Sequence, residues 1–183
     1  MSAKPAVFLD RDGVLSVEKG YIISHQQLEI FQYSSKAVQL IHKAGYYAIV
    51  VTNQSAVARG TLEEKELLKM NEILIEKTKI DAVYYCPHYV NGVIRKYSFN
   101  CDCRKPKIGM IQKACEDFDI DMQKSFMVGD RASDIILGNN VGIYTVLLES
   151  GYGSKRLESE VMPDYKFLDL YQFAEFIILR DCK

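Results

Sequence analysis

Short apolar segments of strand length recur along the chain, and they are the feature that most limits its fold. Each is continuously apolar rather than alternating, which is typical of strands buried on both faces of a parallel sheet. Helix-length segments with a periodic apolar face lie between them. The predicted strands are 6–9, 47–51, 81–85, 125–128 and 144–148, and the predicted helices are 33–44, 61–79, about 107–118 and 132–140.

This alternation predicts an α/β fold, a doubly wound, Rossmann-like parallel sheet with helices on both faces. A length of 183 residues is suited to one domain with its own core, so residues 1–183 are predicted to form a single domain. Thr61, followed by two glutamates, is interpreted as the cap of the second helix. Residues 167–180 are predicted to form a short strand or turn and a final helix.

The charge composition limits the classes of partner. The chain has 23 Lys and Arg against 24 Asp and Glu, for a net charge of −1. Nucleic acids and anionic membranes need clustered positive charge, so neither is predicted as a partner. No segment approaches the roughly 18 apolar residues of a membrane span, and the N-terminal apolar run is too short for a signal peptide. These features predict a cytoplasmic protein.

Reactive side chains follow three of the predicted strands. Asp10 and Asp12 follow the first strand, Thr52 and Asn53 follow the second, and Asp130 follows the fourth. In open parallel sheets, ligands bind beyond the carboxyl ends of the strands. These side chains are therefore predicted to converge on one site.

Asp10 and Asp12 are two residues apart, so in extended chain their side chains point the same way. One carboxylate can attack phosphorus while the other donates a proton to the leaving group and then accepts one from water. The alternative is a turn, because Asp-x-Asp-Gly is also common in loops.

Other polar residues can complete a phosphate site. Asp130 can add a carboxylate for Mg²⁺, although it can also simply cap the next helix. Asp134 is interpreted as a support for this site or as a surface charge. Hydroxyl and amide donors and cations suited to phosphate oxygens are found at Thr52, Asn53, Gln54, Ser55, Arg104, Lys105 and Arg131. Each of these can also be an ordinary surface residue.

Cys86-Pro-His88 and Cys101-Asp-Cys103 form two pairs of metal-ligand side chains, with residues 89–100 between them. Three thiolates and one imidazole fill tetrahedral zinc and leave no open position, which is typical of a structural site. A disulfide is the alternative, but the predicted compartment favours reduced thiols. The sequence therefore predicts a structural Zn²⁺ site in a loop at about 86–103.

These motifs together resemble the haloacid dehalogenase superfamily. Its four motifs match residues 8–14, Thr52-Asn53, Lys105 and residues 129–134, in the expected order. Within it, the chain is similar to the branch of histidinol-phosphate and heptose-bisphosphate phosphatases, which carries both cysteine pairs. The long zinc loop is more similar to the heptose-bisphosphate enzymes. Tyr89-Val90-Asn91-Gly92 departs from the usual continuation of that loop.

The resemblance implies a Mg²⁺-dependent phosphatase that removes the 7-phosphate of a heptose 1,7-bisphosphate in ADP-heptose and lipopolysaccharide precursor synthesis. It implies Asp10 as the nucleophile and Asp12 as the acid/base. Asp10, the Asp12 backbone carbonyl and Asp130 would bind Mg²⁺. Thr52, Asn53 and Lys105 would bind the transferring phosphoryl group, and Arg104 and Arg131 the far phosphate. The sugar would be lined by Glu18, Lys19, Gly20 and Tyr21.

Residues 13–51 separate the first two motifs, and one predicted helix fills much of that segment. A separate cap domain does not fit there, so an open site walled by the zinc loop is expected, and the branch suggests a monomer.

Three alternatives stay open: a histidinol-phosphate or broader sugar-phosphate phosphatase, a phosphate-accepting receiver, and a zinc-stabilised interaction module. Asp12 argues against a receiver, because a stable phosphoaspartate does not need an acid/base beside it.

Overall fold

The structure is a computed structural model that describes residues 3–154 and 161–181. Its strands are β1 (Ala6–Leu9), β2 (Tyr47–Asn53), β3 (Ala82–Cys86), β4 (Phe126–Gly129), β5 (Tyr144–Leu148) and β6 (Tyr165–Phe167). They form one six-stranded sheet in the order β3-β2-β1-β4-β5-β6, and every neighbouring pair is parallel. The predicted doubly wound α/β fold is confirmed.

Helices cover both faces of the sheet. They are α1 (Ser34–Lys43), α2 (Glu64–Thr78), α3 (Gly109–Asp117), α4 (Ala132–Val141) and α5 (Leu170–Asp181). Helices α1 and α5 pack on one face, where α2 contributes Leu74, and α3 and α4 pack on the other. Within the described part of the chain, none of these helices has the length and apolar character needed to cross a bilayer.

The central strand β1 explains why the predicted strands read as continuously apolar. Val7 and Leu9 pack towards α1 and α5, whereas Ala6 and Phe8 pack towards α3 and α4. All four side chains are fully buried. A strand between two helical layers has no solvent-facing side, so the hydrophobic effect selects apolar residues at every position.

Two boundaries differ from the sequence prediction. Helix α2 begins at Glu64, with Glu63 as its N-terminal cap and no side-chain hydrogen bond there. The prediction that Thr61 caps this helix is wrong, because its hydroxyl donates instead to the Ala56 carbonyl at 3.2 Å and closes the preceding turn. The predicted tail is confirmed as β6 followed by α5. The predicted domain, 1–183, also includes residues 1–2, 155–160 and 182–183, which lie outside the described residues.

The strand order sets the position of the site. Strand β1 lies between β2 and β4, with Leu9 level with Val50 and Val128. From β1 the chain adds strands towards one edge of the sheet, and from β4 it adds them towards the other edge. This change leaves a crevice at the carboxyl ends of β1 and β4. The backbone N–H of Asp10 donates to the Val128 carbonyl at 2.9 Å, so the ladder extends to the first reactive residue and fixes its position.

The aromatic packing between α5 and the sheet generates a test of the core. Phe173 is fully buried, and its ring centroid lies 5.2 Å from that of Phe126 and 5.7 Å from that of Phe167. We expect Phe173→Ala to lower the free energy of unfolding by about 3–5 kcal/mol, because apolar burial is lost and a cavity remains. Urea unfolding measures it. Leu179→Ala, on the exposed side of α5 with 73% of its residue surface exposed, should stay within about 0.5 kcal/mol; equal losses would contradict this packing.

Candidate active site

A cavity of about 360 Å³ opens at the carboxyl ends of β1, β2 and β4. The loop after β1 and the turn after β2 form two of its walls, and residues 104–105 at the end of the cysteine-rich loop form a third. Most of its lining is polar or charged. The lining residues are Asp10, Arg11, Asp12, Glu18, Gly20, Tyr21, Ile22, Thr52, Asn53, Gln54, Ser55, Ala56, Arg104, Lys105, Arg131, Ser133 and Tyr152. The cavity therefore brings together the predicted catalytic and substrate-binding residues, with the exception of Lys19.

A buried ionic cluster lies at the base of this cavity. The Lys105 ammonium is 3.0 Å from Asp10 Oδ1 and 2.7 Å from Asp134 Oδ1. The Lys105 side chain is 1% exposed, and Asp134 is fully buried. The interpretation of Asp134 as a surface charge is therefore wrong: it balances a buried cation, which otherwise would be very costly to desolvate.

The electrostatics of this cluster favour a charged lysine. Burial by itself would lower the pKa of Lys105, but the carboxylates of Asp10 and Asp134 outweigh it and raise the pKa. Burial raises the pKa of Asp134 to about 6, despite the opposing effect of Lys105. Burial, together with the negative charges of Asp10 and Asp134, raises the pKa of Asp130 to about 8. The cluster thus contains three carboxyl groups and one ammonium group. The excess negative charge favours a protonated Asp130.

Three hydrogen-bonding partners hold Asp12. Arg11 donates to its two carboxylate oxygens at 3.0 and 2.8 Å, Gln54 Nε2 donates at 3.0 Å, and the Ser16 hydroxyl donates at 3.0 Å. Burial would raise the pKa of Asp12, but the Arg11 charge and these hydrogen bonds lower it. The side chain stays 21% exposed towards the cavity. Asp12 is therefore oriented, ionised and open to a ligand.

The polar residues after β2 divide into two roles. Thr52 is buried at the base of the cavity and accepts a hydrogen bond from Gln54 at 3.1 Å. Asn53 instead binds the backbone of Lys105: its amide donates to the Lys105 carbonyl at 3.2 Å and its oxygen accepts from the Lys105 N–H at 3.0 Å. Asn53 therefore links β2 to the loop that carries the lysine.

The residues predicted to line the sugar are not all at the cavity. Glu18, Gly20 and Tyr21 line it, but Lys19 does not, because its ammonium pairs with Glu29 at 2.7 Å. Glu18 also pairs with Arg131 at 2.8 Å. The prediction of Lys19 as a cavity residue thus disagrees with its observed position.

Backbone approaches to the carboxylates require glycine. Gly13 has a φ of +82°, and a side chain there would collide with the Asp130 carboxylate. A side chain at Gly129 would likewise collide with Asp134. These glycines allow the loop after β1 and the end of β4 to close on the acidic cluster.

The acidic cluster has the composition of a site for a hard divalent cation. One oxygen from each of Asp10, Asp130 and Asp134 lies within 4.8 Å of the others. Asp130 Oδ1 is buried and accepts no hydrogen bond from the described residues. Mg²⁺ prefers carboxylate oxygens, and a cation would offset the excess negative charge noted above. The residues present therefore fit the ion.

The cysteine and histidine pairs converge on a second potential metal site. Cys86, His88, Cys101 and Cys103 each offer one atom within 4.8 Å of the others. Neighbouring ligand atoms are 3.3–3.7 Å apart, close to the roughly 3.8 Å edge expected for sulfurs around tetrahedral zinc. Cys86 and Cys101 are buried without a disulfide. Interaction with Cys86, then with His88 and Cys101, lowers the pKa of Cys103 to about 5, which favours a thiolate ligand.

Two of the important contacts were given no role by the sequence. Arg11 is 1% exposed and binds Asp12; its position between two aspartates in a buried motif is a signal that it needs a partner, since buried arginines are normally paired. Tyr152, in the loop after β5, donates its backbone N–H to Asp130 Oδ2 at 2.8 Å. No local pattern marks Tyr152, because only the tertiary fold brings that loop to the site.

The raised pKa of Asp130 gives a test of the acidic cluster. From about pH 4 to pH 8 the native state keeps a proton that the unfolded state has lost, so the stability of the metal-free protein should fall as pH rises. Asp130→Asn removes this titration and can still accept from Tyr152. With chelator at pH 8, we expect the variant to be roughly 2–4 kcal/mol more stable than wild type by urea unfolding, with the difference shrinking towards pH 5.

The same variant should lose stabilisation by magnesium. Mg²⁺ should raise the melting temperature of wild type by mass action and should leave Asp130→Asn nearly unchanged. Two results would contradict this role of Asp130. One is a metal-free Asp130→Asn that is less stable than wild type at pH 8, and the other is an Asp130→Asn that Mg²⁺ stabilises as much as wild type.

Comparison with known proteins adds to this geometry. A family model described as HAD-hydrolase-like matches residues 102–173. The D-glycero-beta-D-manno-heptose-1,7-bisphosphate 7-phosphatase of Pasteurella multocida is 40% identical, over 81% of this chain and 83% of its own. The D-glycero-D-manno-heptose-1,7-bisphosphate 7-phosphatase of Thermosynechococcus vestitus is 37% identical over 95% of each chain.

A solved structure resembles the whole described fold. It is the D,D-heptose 1,7-bisphosphate phosphatase from B. bronchiseptica, complexed with magnesium and phosphate, with a TM-score of 0.83 and 26% identity. The match covers 96% of this chain and 99% of that chain. Its sequence identity is lower than that of the relatives above, but the structural match extends over nearly all of both chains. Together, the site and these relatives show that the chain belongs to the HAD-like hydrolases, in the family of the D-glycero-D-manno-heptose-1,7-bisphosphate 7-phosphatases.

Proposed function

We propose that this chain is a Mg²⁺-dependent phosphatase that removes the 7-phosphate of D-glycero-D-manno-heptose 1,7-bisphosphate, in the synthesis of the lipopolysaccharide precursor ADP-heptose. The names of the relatives support the substrate. The observation that carries the chemistry is the Asp10 carboxylate, held 3.0 Å from the buried Lys105 ammonium at the cavity base with Asp12 beside it. The proposed nucleophile Asp10, the cation Lys105 and the proposed acid/base Asp12 therefore line one cavity.

The proposed first step forms an aspartyl-phosphate. Asp10 attacks phosphorus, the bond to the substrate oxygen breaks, and the leaving alkoxide takes a proton from Asp12. Lys105 offsets negative charge on the phosphoryl oxygens, and Thr52 and Ser55 offer hydroxyl donors at the cavity wall. Asp12 must enter this step protonated, although its partners favour the carboxylate before substrate binds.

The second step returns the enzyme to its starting form. Asp12 accepts a proton from water, the water oxygen attacks phosphorus, and the bond to Asp10 breaks with release of inorganic phosphate. The carboxylate form that Arg11 and Gln54 favour is the form that this step needs. Asp10, the backbone carbonyl of Asp12 and Asp130 would hold Mg²⁺, whose charge would offset that of the phosphoryl oxygens.

Selection of a bisphosphate is assigned to the cations at the cavity rim. Arg104 lines the cavity, and no carboxylate of the described residues lies within 4.0 Å of its guanidinium, so its charge remains available to a second phosphate. Arg131 is already paired with Glu18 and would have to share its charge. Glu18, Gly20 and Tyr21 would contact the sugar, and Gln54 would act through Asp12.

The second metal site is proposed to hold structural Zn²⁺. Cys86, His88, Cys101 and Cys103 supply a full tetrahedral set, so the ion would be closed to substrate. Arg104 follows Cys103 directly, which couples the loop to the cavity wall.

We further propose that the chain acts as a single-domain monomer in the cytoplasm, without nucleic-acid or membrane partners.

Phosphate release with Mg²⁺ tests the catalytic proposal. Both anomers of the heptose 1,7-bisphosphate and histidinol phosphate should be compared at equal concentration. We expect the heptose bisphosphate to have the highest kcat/KM and Asp10→Asn to lose at least about 10⁴-fold in kcat, because the attacking group is removed. Asp121→Asn, in a partly exposed ion pair with Lys124 outside the cavity, is the matched control and should stay near wild type.

Three results would contradict this proposal in different ways. Turnover by Asp10→Asn would exclude the aspartyl-phosphate. Preference for histidinol phosphate would favour the alternative substrate class. A stable phosphoenzyme without turnover would favour a receiver-like module.

Zinc content and stability test the structural metal. Cys101→Ser removes one buried ligand, so we expect substoichiometric zinc by elemental analysis and a loss of several kcal/mol in the free energy of unfolding. Cys115→Ser is the control, because Cys115 is exposed and lies outside the cluster; it should keep zinc and stability. Wild-type protein without stoichiometric zinc, together with an equally stable Cys101→Ser, would refute the zinc site.

A further inference from the structure

Two guanidinium groups, that of Arg104 in the cavity wall and that of Arg59 near it, have no acidic partner among the described residues. In residues 3–154 and 161–181, no carboxylate lies within salt-bridge distance of Arg59 or Arg104, whereas Arg131 is paired with Glu18. Arg104 lines the cavity. The Nε of Arg59 is buried and has no hydrogen-bond partner among the described residues. Two neighbouring cations without carboxylates repel each other, so another group must hold them in place.

The Tyr89 ring contacts both of these cations, in the role that a carboxylate would normally have. The Arg59 guanidinium lies 4.0 Å from the Tyr89 ring centroid, and that of Arg104 lies 5.3 Å from the same centroid. Both distances fall within the range of a cation–π interaction. Arg59 also stands over Tyr21 at 5.5 Å, and Tyr21 lines the cavity. The ring thus joins both cations to the cavity wall.

The backbone around Tyr89 holds the ring in position. Its N–H donates to the Tyr97 carbonyl at 3.1 Å, and its carbonyl accepts from Gly92 at 3.0 Å. The preceding residue, His88, accepts a hydrogen bond on its carbonyl from Arg104 at 3.2 Å. The backbone of Tyr89 is therefore held by the loop, and its ring stacks on both cations.

An aromatic partner has a different electrostatic consequence from a carboxylate. A carboxylate would neutralise each guanidinium, whereas a ring orients it through its quadrupole and leaves the net positive charge in place. The retained charge can then bind a phosphate dianion through charge-assisted hydrogen bonds. This arrangement suits a site that must be cationic before its ligand arrives.

On the basis of the proposed function, we infer that Tyr89 is a positioning residue that sets the preference for a bisphosphate substrate. It holds Arg104, with Arg59 behind it, in the orientation that receives the phosphate remote from Asp10. Tyr89 does not line the reacting end of the cavity, so it acts on substrate affinity and not on the chemical step. It begins the segment in which this chain departs from the usual zinc loop.

Steady-state kinetics of Tyr89→Leu and Tyr89→Phe test this role with two substrates. The substrates are D-glycero-D-manno-heptose 1,7-bisphosphate and 4-nitrophenyl phosphate, which has a single phosphate. For Tyr89→Leu we expect KM for the bisphosphate to rise about tenfold, as loss of cation–π contacts predicts, with kcat within twofold. KM for 4-nitrophenyl phosphate should not change. Tyr89→Phe retains the ring face and should keep both KM values near wild type.

Two controls separate positioning from damage to the loop. Val90→Ala changes the next residue, which is 62% exposed, and should leave both KM values unchanged. Tyr89→Leu should keep the same zinc content as wild type by elemental analysis; loss of zinc would overturn the positioning role in favour of a structural one.

The kinetic outcomes also distinguish this inference from the proposed function. An unchanged bisphosphate KM in Tyr89→Leu, or an equal rise for both substrates, would overturn the role of Tyr89 alone. If wild type does not hydrolyse the heptose bisphosphate, the proposed function fails, and the role of Tyr89 fails with it.

Discussion

Burial of the Lys105 ammonium between Asp10 and Asp134 determines the arrangement of the rest of the site. An unpaired buried ammonium would be strongly destabilising, so the end of β1, the start of α4 and the loop before α3 must meet at this point. Asn53 binds the Lys105 backbone on both sides and fixes the loop to β2. The same contacts that satisfy the lysine therefore place a cation beside the proposed nucleophile.

The two aspartates after β1 have different environments although they are two residues apart. Asp10 lies against Lys105 and the acidic cluster, whereas Asp12 lies against Arg11, Gln54 and Ser16. Separate partners allow one carboxylate to act as a nucleophile and the other to exchange protons, which two equivalent groups could not do as well. Arg11 is as important to this division as the aspartates themselves.

The cysteine-rich loop, residues 86–103, connects the sheet to the cavity wall. Its cysteine and histidine cluster is partly buried on β3 through Cys86, and the loop leads to Arg104 in the cavity wall, with Tyr89 stacked against it. A loop of this length would lose considerable entropy on ordering, and a metal ion offers a way to offset that loss. A rigid loop can then present cations without carboxylates to neutralise them.

Much of the fold and of the site followed from the sequence. Continuous apolar strands predicted a doubly wound parallel sheet, and β1 has no exposed side, as that pattern requires. Asp10, Asp12, Thr52 and Asp130 were expected to converge because reactive residues follow strands whose carboxyl ends share an edge, whereas Lys105 was singled out by its charge and by the motif resemblance. The cysteine pairs were found because their ligand types and spacing are local.

Partners distant in sequence were decided only by the tertiary structure. The pairing of Asp134 with Lys105, the hydrogen bond from Tyr152 to Asp130 and the stacking of Arg59 on Tyr89 each join separate loops. Lys19 was misplaced because a local motif does not show which way a loop residue turns. The sequence by itself determined the chemistry available at the strand ends; packing of the loops decided which charges are paired, because pairing depends on distances that no local pattern contains.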